Sequence, residues 1–308
     1  MKTVRRRASF SLAVVAVVAA IGVARSDVLA QRGRVGGPPA PPLVPRAAAP
    51  IDLTGTWVSI VTEDWRWRMV TPPKGDVASV PVNGEGRKAA AAWDLAADNA
   101  AGNQCKAFGV GGVMRQPGRL RISWQDDATL KLDFDAGTQT RVLNFDGTKQ
   151  PPAEKTWQGF SLAQWDGPGV GRGAPPVDAR VTGGGLLTRG VPGGGGQGLR
   201  GGPPPRQQSQ INTGGHLRVV TTNVREGYLR KNGVPYSENA TITEYFHRLP
   251  THPNGDAWLQ VITIIEDAKY LNGPFYTSTN FRLEPDATKF TPAPCQTAPP
   301  LPSKATTR

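Results

Sequence analysis

The sequence predicts an all-β protein in which antiparallel strands close into a barrel or pack as a sandwich. Three observations predict this class. Apolar and polar residues alternate with a period of two along many short segments, as is typical of strands buried on one face. Turns rich in Asn, Asp and Gly separate these segments. The connections are too short for the crossover helices of a parallel sheet.

The first half of the chain predicts one strand, one helix and then a meander of four antiparallel strands. Residues 119–124 show the alternation most clearly, and Asp126-Asp127 supplies the turn that follows. Asn83 can cap a helix over residues 85–96, in which Trp93 is the large apolar side chain. The strands predicted here are residues 52–61, 119–124, 129–134, 139–145 and 156–165.

Two turns organise the second half of the chain. Asn232-Gly233 follows a short strand, and the Pro253-Asn254-Gly255 tip predicts a hairpin. The strands predicted here are residues 216–224, 228–230, 241–249, 257–266 and 275–283. The two halves together predict about nine strands and one helix.

The N-terminus has the pattern of a secretory leader. Lys2 and three arginines precede an apolar run at residues 10–23, and small residues at 28–30 favour cleavage after Ala30. The run is shorter than the ~20 residues that span a bilayer, so we expect no transmembrane segment in the mature chain. The prediction is a periplasmic or secreted protein, exported by the general or the twin-arginine route.

Composition divides the rest of the chain. Residues 31–50 are rich in Pro, Gly and Ala and predict an extended tether, and residues 296–308 predict a flexible tail. Residues 167–215 are rich in Gly, Pro and Arg, with no aromatic residue, which predicts disorder. Because neither flank can close a core alone, we expect a single domain over residues 51–295 with this stretch as a loop.

The charge and the cysteines narrow the possible partners. The net charge is +12, or +8 without residues 1–30, and no run of five or six basic residues is present. No nucleic acid is therefore expected, although loose contact with an anionic envelope surface is possible. Cys105 and Cys295 are the only cysteines. In an oxidising compartment they favour a disulfide over two separate thiols or a metal site.

The densest group of aromatic and charged residues is Glu63–Met69. As an extended strand it would place Trp65 and Trp67 on one face, with Arg66 and Arg68 on the other. Inside a barrel the tryptophans could line an apolar ligand pocket, with an arginine holding an anionic group. The alternative is an ordinary packing stripe. The candidate ligand-binding residues are Trp57, Trp65, Trp67, Arg66 and Trp124.

Candidates for catalysis are weaker. His247 and Glu244 lie on opposite faces of one predicted strand, so an acid–base pair would need a partner from another strand, such as Asp64 or Glu266. No metal site and no cofactor are predicted, because the three histidines lack ligand spacing. A second group of polar residues surrounds the Asn232-Gly233 turn: Tyr228, Arg230, Lys231, Tyr236 and Glu238. Its composition fits either a loop that contacts a ligand or a structured surface loop.

Two resemblances bear on the fold. Gly55-Thr56-Trp57 resembles the G-x-W signature of lipocalins and related calycin barrels, which implies that Trp57 closes one barrel end against a basic side chain, here Arg282. The chain also resembles a group of uncharacterised secreted bacterial β-rich proteins, which implies a compartment and a fold but no reaction. The shared landmarks include TEDWRWRMVTPPKGD, NGEGRKAAAAWD, MRQPGRLRISWQDD and YLRKNGVPYSENATITEYF.

Three functions remain open at this stage. A lipocalin-like barrel that binds a small, largely apolar molecule is favoured, because tryptophans rather than acids and histidines come together in the sequence. An acid–base enzyme, a hydrolase or isomerase that uses the barrel pocket, is the second. An envelope interaction protein that uses the Arg/Gly stretch is the third.

Overall fold

The computed structural model describes residues 43–167 and 214–303. The predicted leader, most of the predicted tether and nearly all of the predicted disordered loop lie outside the described residues, as do residues 304–308. Among the residues described, no helix is both long and apolar enough to cross a bilayer.

Nine strands form one closed barrel, which confirms the predicted all-β barrel of about nine strands. The nine barrel strands are β1 Gly55–Ile60, β2 Arg119–Asp126, β3 Thr129–Phe134, β5 Gln139–Asn144, β6 Phe160–Asp166, β7 His216–Thr222, β10 Thr241–Arg248, β11 Trp258–Glu266 and β12 Phe275–Leu283. Four two-residue strands lie outside the barrel: β4 Ala136–Gly137, β8 Gly227–Tyr228, β9 Pro235–Tyr236 and β13 Ala293–Pro294. The order around the barrel is β1-β12-β11-β10-β7-β6-β5-β3-β2.

The two halves of the chain meet at two seams of the barrel. At one seam β1 pairs with β12, and at the other β6 pairs with β7. In the second seam Asp166 lies opposite His216, so the strands that border the Gly/Pro/Arg-rich stretch are hydrogen-bonded neighbours. Neither half closes the barrel without the other.

One part of the predicted meander is wrong. All neighbouring barrel strands are antiparallel except β5 and β6, which run parallel in the register Leu143↔Ser161. The reason is the loop between them, which packs against the rest of the protein instead of making a hairpin. In that loop the Trp157 carbonyl accepts the Val110 N–H at 2.8 Å.

The predicted helix over residues 85–96 is broken in two by Trp93. Helix α2 (Gly84–Ala92) is capped by Asn83, as predicted, and α3 (Leu95–Ala100) is capped by Asp94. Trp93 itself is extended, with φ −50° and ψ 137°. Two caps in succession allow the chain to turn there, and the large Trp93 side chain is buried. A further four-residue helix, α1 (Trp65–Arg68), precedes these two.

The barrel interior is filled in layers. Along β10 the inward residues are Phe246 in one apolar cluster, the charged Glu244, and Ile242 in a second apolar cluster. Strands β11 and β12 repeat this order, with threonines in the polar position. The centre of the barrel is therefore a buried polar layer between two apolar ones.

An ion pair occupies this polar layer. Arg141 of β5 and Glu244 of β10 are both completely buried, and the Arg141 guanidinium donates to Glu244 at 2.5 and 3.1 Å. Arg141 also donates to the Thr221 hydroxyl at 3.3 Å, and Thr221 shares a 2.7 Å hydrogen bond with Ser161. The pair joins a strand from each half of the chain.

Residues close to both ends of the described chain are held by the rest of the protein, and the predicted disulfide is confirmed. Cys105 and Cys295 are bonded. Among residues predicted as tether, the Pro45 carbonyl accepts the Trp165 indole N–H at 2.8 Å. Among those predicted as tail, the Leu301 N–H donates to the Thr71 carbonyl at 3.0 Å. The residues on the barrel side of each predicted flexible end are thus held in place.

We expect the Glu244→Gln substitution to lower the free energy of unfolding by about 3–5 kcal/mol, because it leaves the buried Arg141 charge without its counter-charge. Chemical denaturation of the purified protein measures this. The exposed Glu266→Gln at the end of β11 is the matched control, with an expected change within about 0.5 kcal/mol. Equal denaturation midpoints for the two variants would contradict a stabilising role of the pair.

Candidate functional site

The group Glu63–Met69 forms a helical turn around helix α1, so its side chains do not alternate between two faces as they would on an extended strand. Asp64 adopts the left-handed conformation (φ 53°), and its carbonyl accepts the N–H groups of Trp67 and Arg68 at 2.8 and 3.0 Å. In a helical turn neighbouring side chains point in different directions. Trp65 is consequently 67% exposed, whereas Trp67 is partly buried against other residues.

Two guanidinium groups lie over the ring of Trp67. Arg66 is 4.4 Å from the ring centroid and Arg230 is 4.5 Å from it. The indole N–H donates to the carboxylate of Asp76 at 3.2 Å, which fixes the ring. Such cation–π contacts favour an arginine beside a ring but satisfy none of its N–H donors.

Two more arginines, Arg68 and Arg115, line the same site as Trp67 and are buried. Arg68 is 2% exposed and donates to Glu63 at 2.7 Å, to Ser59 at 3.0 Å and to the Arg115 carbonyl at 3.1 Å. Arg115 is 6% exposed and donates to Asp64 at 2.6 Å through one nitrogen. Its other terminal nitrogen, Nη1, is buried without a hydrogen-bond partner.

Arg230 is the exceptional side chain of this site. It is 3% exposed, and none of its three guanidinium nitrogens has a hydrogen-bond partner. Burial, and then the charge of Arg115, lowers the pKa of Arg230 to about 10, so the group stays charged at neutral pH. Burial also lowers the pKa of its neighbour Lys231, whose ammonium donates to the Arg68 carbonyl at 2.8 Å.

The turn between β8 and β9 places Arg230 and Lys231. Asn232 donates to the carbonyls of Pro73 and Asp76 at 2.9 Å, which ties the turn to the segment after α1. Gly233 has φ +79°, and a Cβ there would overlap the ring of Trp93. Only glycine therefore lets the turn approach Trp93 this closely.

We call this site the arginine pocket, and it has an excess of positive charge. It combines five cationic groups with three carboxylates: Arg66, Arg68, Arg115, Arg230 and Lys231, with Glu63, Asp64 and Asp76. Of the eleven buried side-chain atoms without hydrogen bonds in the described part of the chain, four are nitrogens of Arg115 and Arg230. The pocket encloses about 10 Å³, which is room for a single oxygen-sized group.

The structure separates the five predicted ligand-binding residues. Trp67 and Arg66 belong to the arginine pocket, and Trp65 is adjacent in sequence but exposed. Trp57 is fully buried, donates to the Leu53 carbonyl at 3.0 Å and belongs to the larger apolar cluster. Trp124 packs with Phe145 and Trp165 near the end of β2 that is far from Arg115.

The basic side chain that lies over Trp57 is not the expected Arg282. Arg282 is exposed on β12, because its neighbour Phe281 is the one that points inward. The guanidinium 4.8 Å from the Trp57 ring belongs to Arg248 of β10. The expectation for Arg282 is therefore wrong, although a basic side chain does cover the tryptophan.

The catalytic candidates do not meet. Glu244 is bound to Arg141 inside the barrel, whereas His247 lies on the outer face beside His216, with ring centroids 4.9 Å apart. Burial, and then His216, lowers the pKa of His247. Within the described residues, no three His, Cys, Asp or Glu side chains are arranged to hold a metal ion.

Arg115 was not identified from the sequence as a site residue. It follows the apolar Val113 and Met114 in a glycine-rich stretch without strand alternation. A basic residue in such surroundings is a weak signal of a buried charge. The other members of the pocket come from the two groups around Trp67 and the Asn232-Gly233 turn, which the fold brings together.

We expect Gly233→Ala to lower the free energy of unfolding by more than Gly255→Ala. Both glycines have positive φ, so each substitution costs about 1–2 kcal/mol of backbone strain. Only position 233 meets a neighbour, Trp93, which adds about 1–3 kcal/mol of overpacking. Thermal and chemical denaturation of the two variants test this, and equal losses would show that Trp93 does not constrain the turn.

Comparisons with known proteins place this chain in no family. No protein-family model, no curated protein and no solved structure matches it.

Proposed function

We propose that this protein is an exported binding protein whose arginine pocket holds the anionic group of a small molecule. The observation that carries the proposal is Arg230, a buried guanidinium with no hydrogen-bond acceptor. Carboxylate, phosphate and sulfate groups are the ligands whose geometry suits such a donor.

An anion explains the energetics of the pocket better than a structural role does. A buried charge without hydrogen bonds costs several kcal/mol, and native proteins rarely keep one without a use. The contact with Trp67 offsets part of this cost, but Arg115 lies close enough to lower the pKa of Arg230 further. A bound oxygen would accept from Arg230 and from Nη1 of Arg115, and it would reduce the repulsion between them.

The groups in the pocket favour binding over catalysis. Arginine, lysine and tryptophan supply positive charge and N–H donors rather than a nucleophile or a base. All three carboxylates of the pocket are engaged: Glu63 with Arg68, Asp64 with Arg115, and Asp76 with the Trp67 indole and the Ala78 N–H. Within the barrel the buried Glu244 is already paired, so neither place offers an available general base.

Export remains part of the proposal. The secretory pattern of residues 1–30 supports it, and the Cys105–Cys295 disulfide is consistent with an oxidising compartment. Intact-mass analysis of protein from the native host would test it, with a mature N-terminus at Gln31 expected. An uncleaved chain recovered from the cytoplasm would refute export without affecting the pocket.

We expect Arg230→Met to abolish anion-dependent stabilisation while leaving the anion-free protein at least as stable. Saturating phosphate or acetate at 100 times its Kd should raise the free energy of unfolding of the native protein by about 2.7 kcal/mol. The variant has no buried unpaired charge, so its own free energy of unfolding should stay the same or increase. Chemical denaturation in buffers with and without each anion measures both quantities.

Because phosphate and sulfate stabilise many proteins non-specifically, the test needs a variant with the same change in charge. Arg87→Met, at an exposed position on α2, should keep the full anion response. If the native protein gains nothing from any of these anions, or if Arg230→Met gains as much as Arg87→Met, the proposal is wrong.

A further inference from the structure

The arginine pocket is too narrow to hold a whole small molecule. Its volume of about 10 Å³ admits one oxygen of an anionic group, so the rest of a ligand must lie outside it. A groove of about 420 Å³ has Gln116 and Lys231 among its lining residues, and both also line the pocket. This volume lies within the ~300–1,000 Å³ of typical small-molecule sites.

The walls of this groove suit the uncharged part of a ligand. They are built largely from small and apolar residues, among them Phe108, Pro117, Ala136, Pro294 and Ala298. Among the described residues that line it, Lys231 is the only cationic side chain and Asp135 the only carboxylate. Asp135 is buried and would repel a second anionic group.

Hydrogen bonds and a disulfide hold the outer wall of the groove in place. Its outer wall is a C-terminal strap, residues 291–298, whose strand β13 pairs in parallel with β4. The Ala293 N–H donates to the Asp135 carbonyl at 2.8 Å, and the Thr138 hydroxyl donates to the Ala293 carbonyl at 3.0 Å. The disulfide at Cys295 fixes the strap covalently, so little ordering cost remains for binding.

We infer that this groove holds the apolar body of an amphiphile whose single anionic group enters the arginine pocket past Lys231. The inference rests on the proposed function and names its ligand class, a monoanionic molecule such as an aliphatic carboxylate. A neutral apolar molecule would leave Arg230 unpaired, an inorganic anion would leave the groove unused, and a dianion would face Asp135.

Titration calorimetry with acetate, hexanoate, octanoate and decanoate, each below its critical micelle concentration, tests the inference on the full mature chain. The affinity should increase by about two- to fourfold for each methylene that the groove covers. Decanol, which has the same tail without the charge, should bind more weakly than decanoate by about tenfold or more.

Two variants separate the groove from the pocket. Ala298→Trp on the exposed strap should fill the groove, lowering the affinity for decanoate by about tenfold or more while leaving acetate nearly unchanged. Arg230→Met should weaken all four carboxylates. Ala153→Trp, an exposed position that is not part of the groove lining, should behave like the native protein.

The outcomes distinguish this inference from the proposed function. The inference would be wrong if the affinity for carboxylates did not depend on chain length, or if Ala298→Trp did not change it. Either result would leave the proposed anion site unaffected. Equal affinities for decanol and decanoate would also overturn it, because the groove would then act without the pocket. Carboxylates and inorganic anions that all fail to bind would remove the proposed function as well.

Discussion

The fold depends on closing a single sheet around a buried charge pair. Arg141 and Glu244 come from opposite halves of the chain, and each is completely removed from solvent. A lone buried charge of either sign would be strongly destabilising, so the two strands must be brought together in the correct register. Threonines and Ser161 fill the same layer and satisfy part of the remaining hydrogen bonding.

This arrangement decides where a ligand can bind. Large apolar side chains and the polar layer fill the barrel centre. The excess charge and four of the unpaired buried nitrogens, those of Arg115 and Arg230, occur outside the barrel strands, where α1, the segment before β2 and the β8–β9 turn meet. Binding is therefore proposed beside a rigid barrel, on loops that the barrel positions.

The carboxylates of the arginine pocket compensate its positive charge only in part. Arg68 and Arg115 are compensated by Glu63 and Asp64, whereas Arg230 has only the ring of Trp67 and more distant carboxylates. Under the proposed function, such a residue lowers the stability of the anion-free protein and is compensated when an anion binds. The disulfide-bonded strap beside it keeps the neighbouring groove open at little entropic cost.

The sequence by itself predicted the barrel strands, the turns and the all-β class, with barrel or sandwich left open, because alternation and turn residues act locally. It also singled out the two residue groups that meet in the pocket as candidates, and it favoured a disulfide between the two cysteines. Only the tertiary structure decided that Glu63–Met69 is helical, that β5 and β6 are parallel, that Arg248 and not Arg282 covers Trp57, and that Arg115 joins Arg230. These features depend on contacts between residues far apart in the chain, where burial and charge pairing override the local pattern.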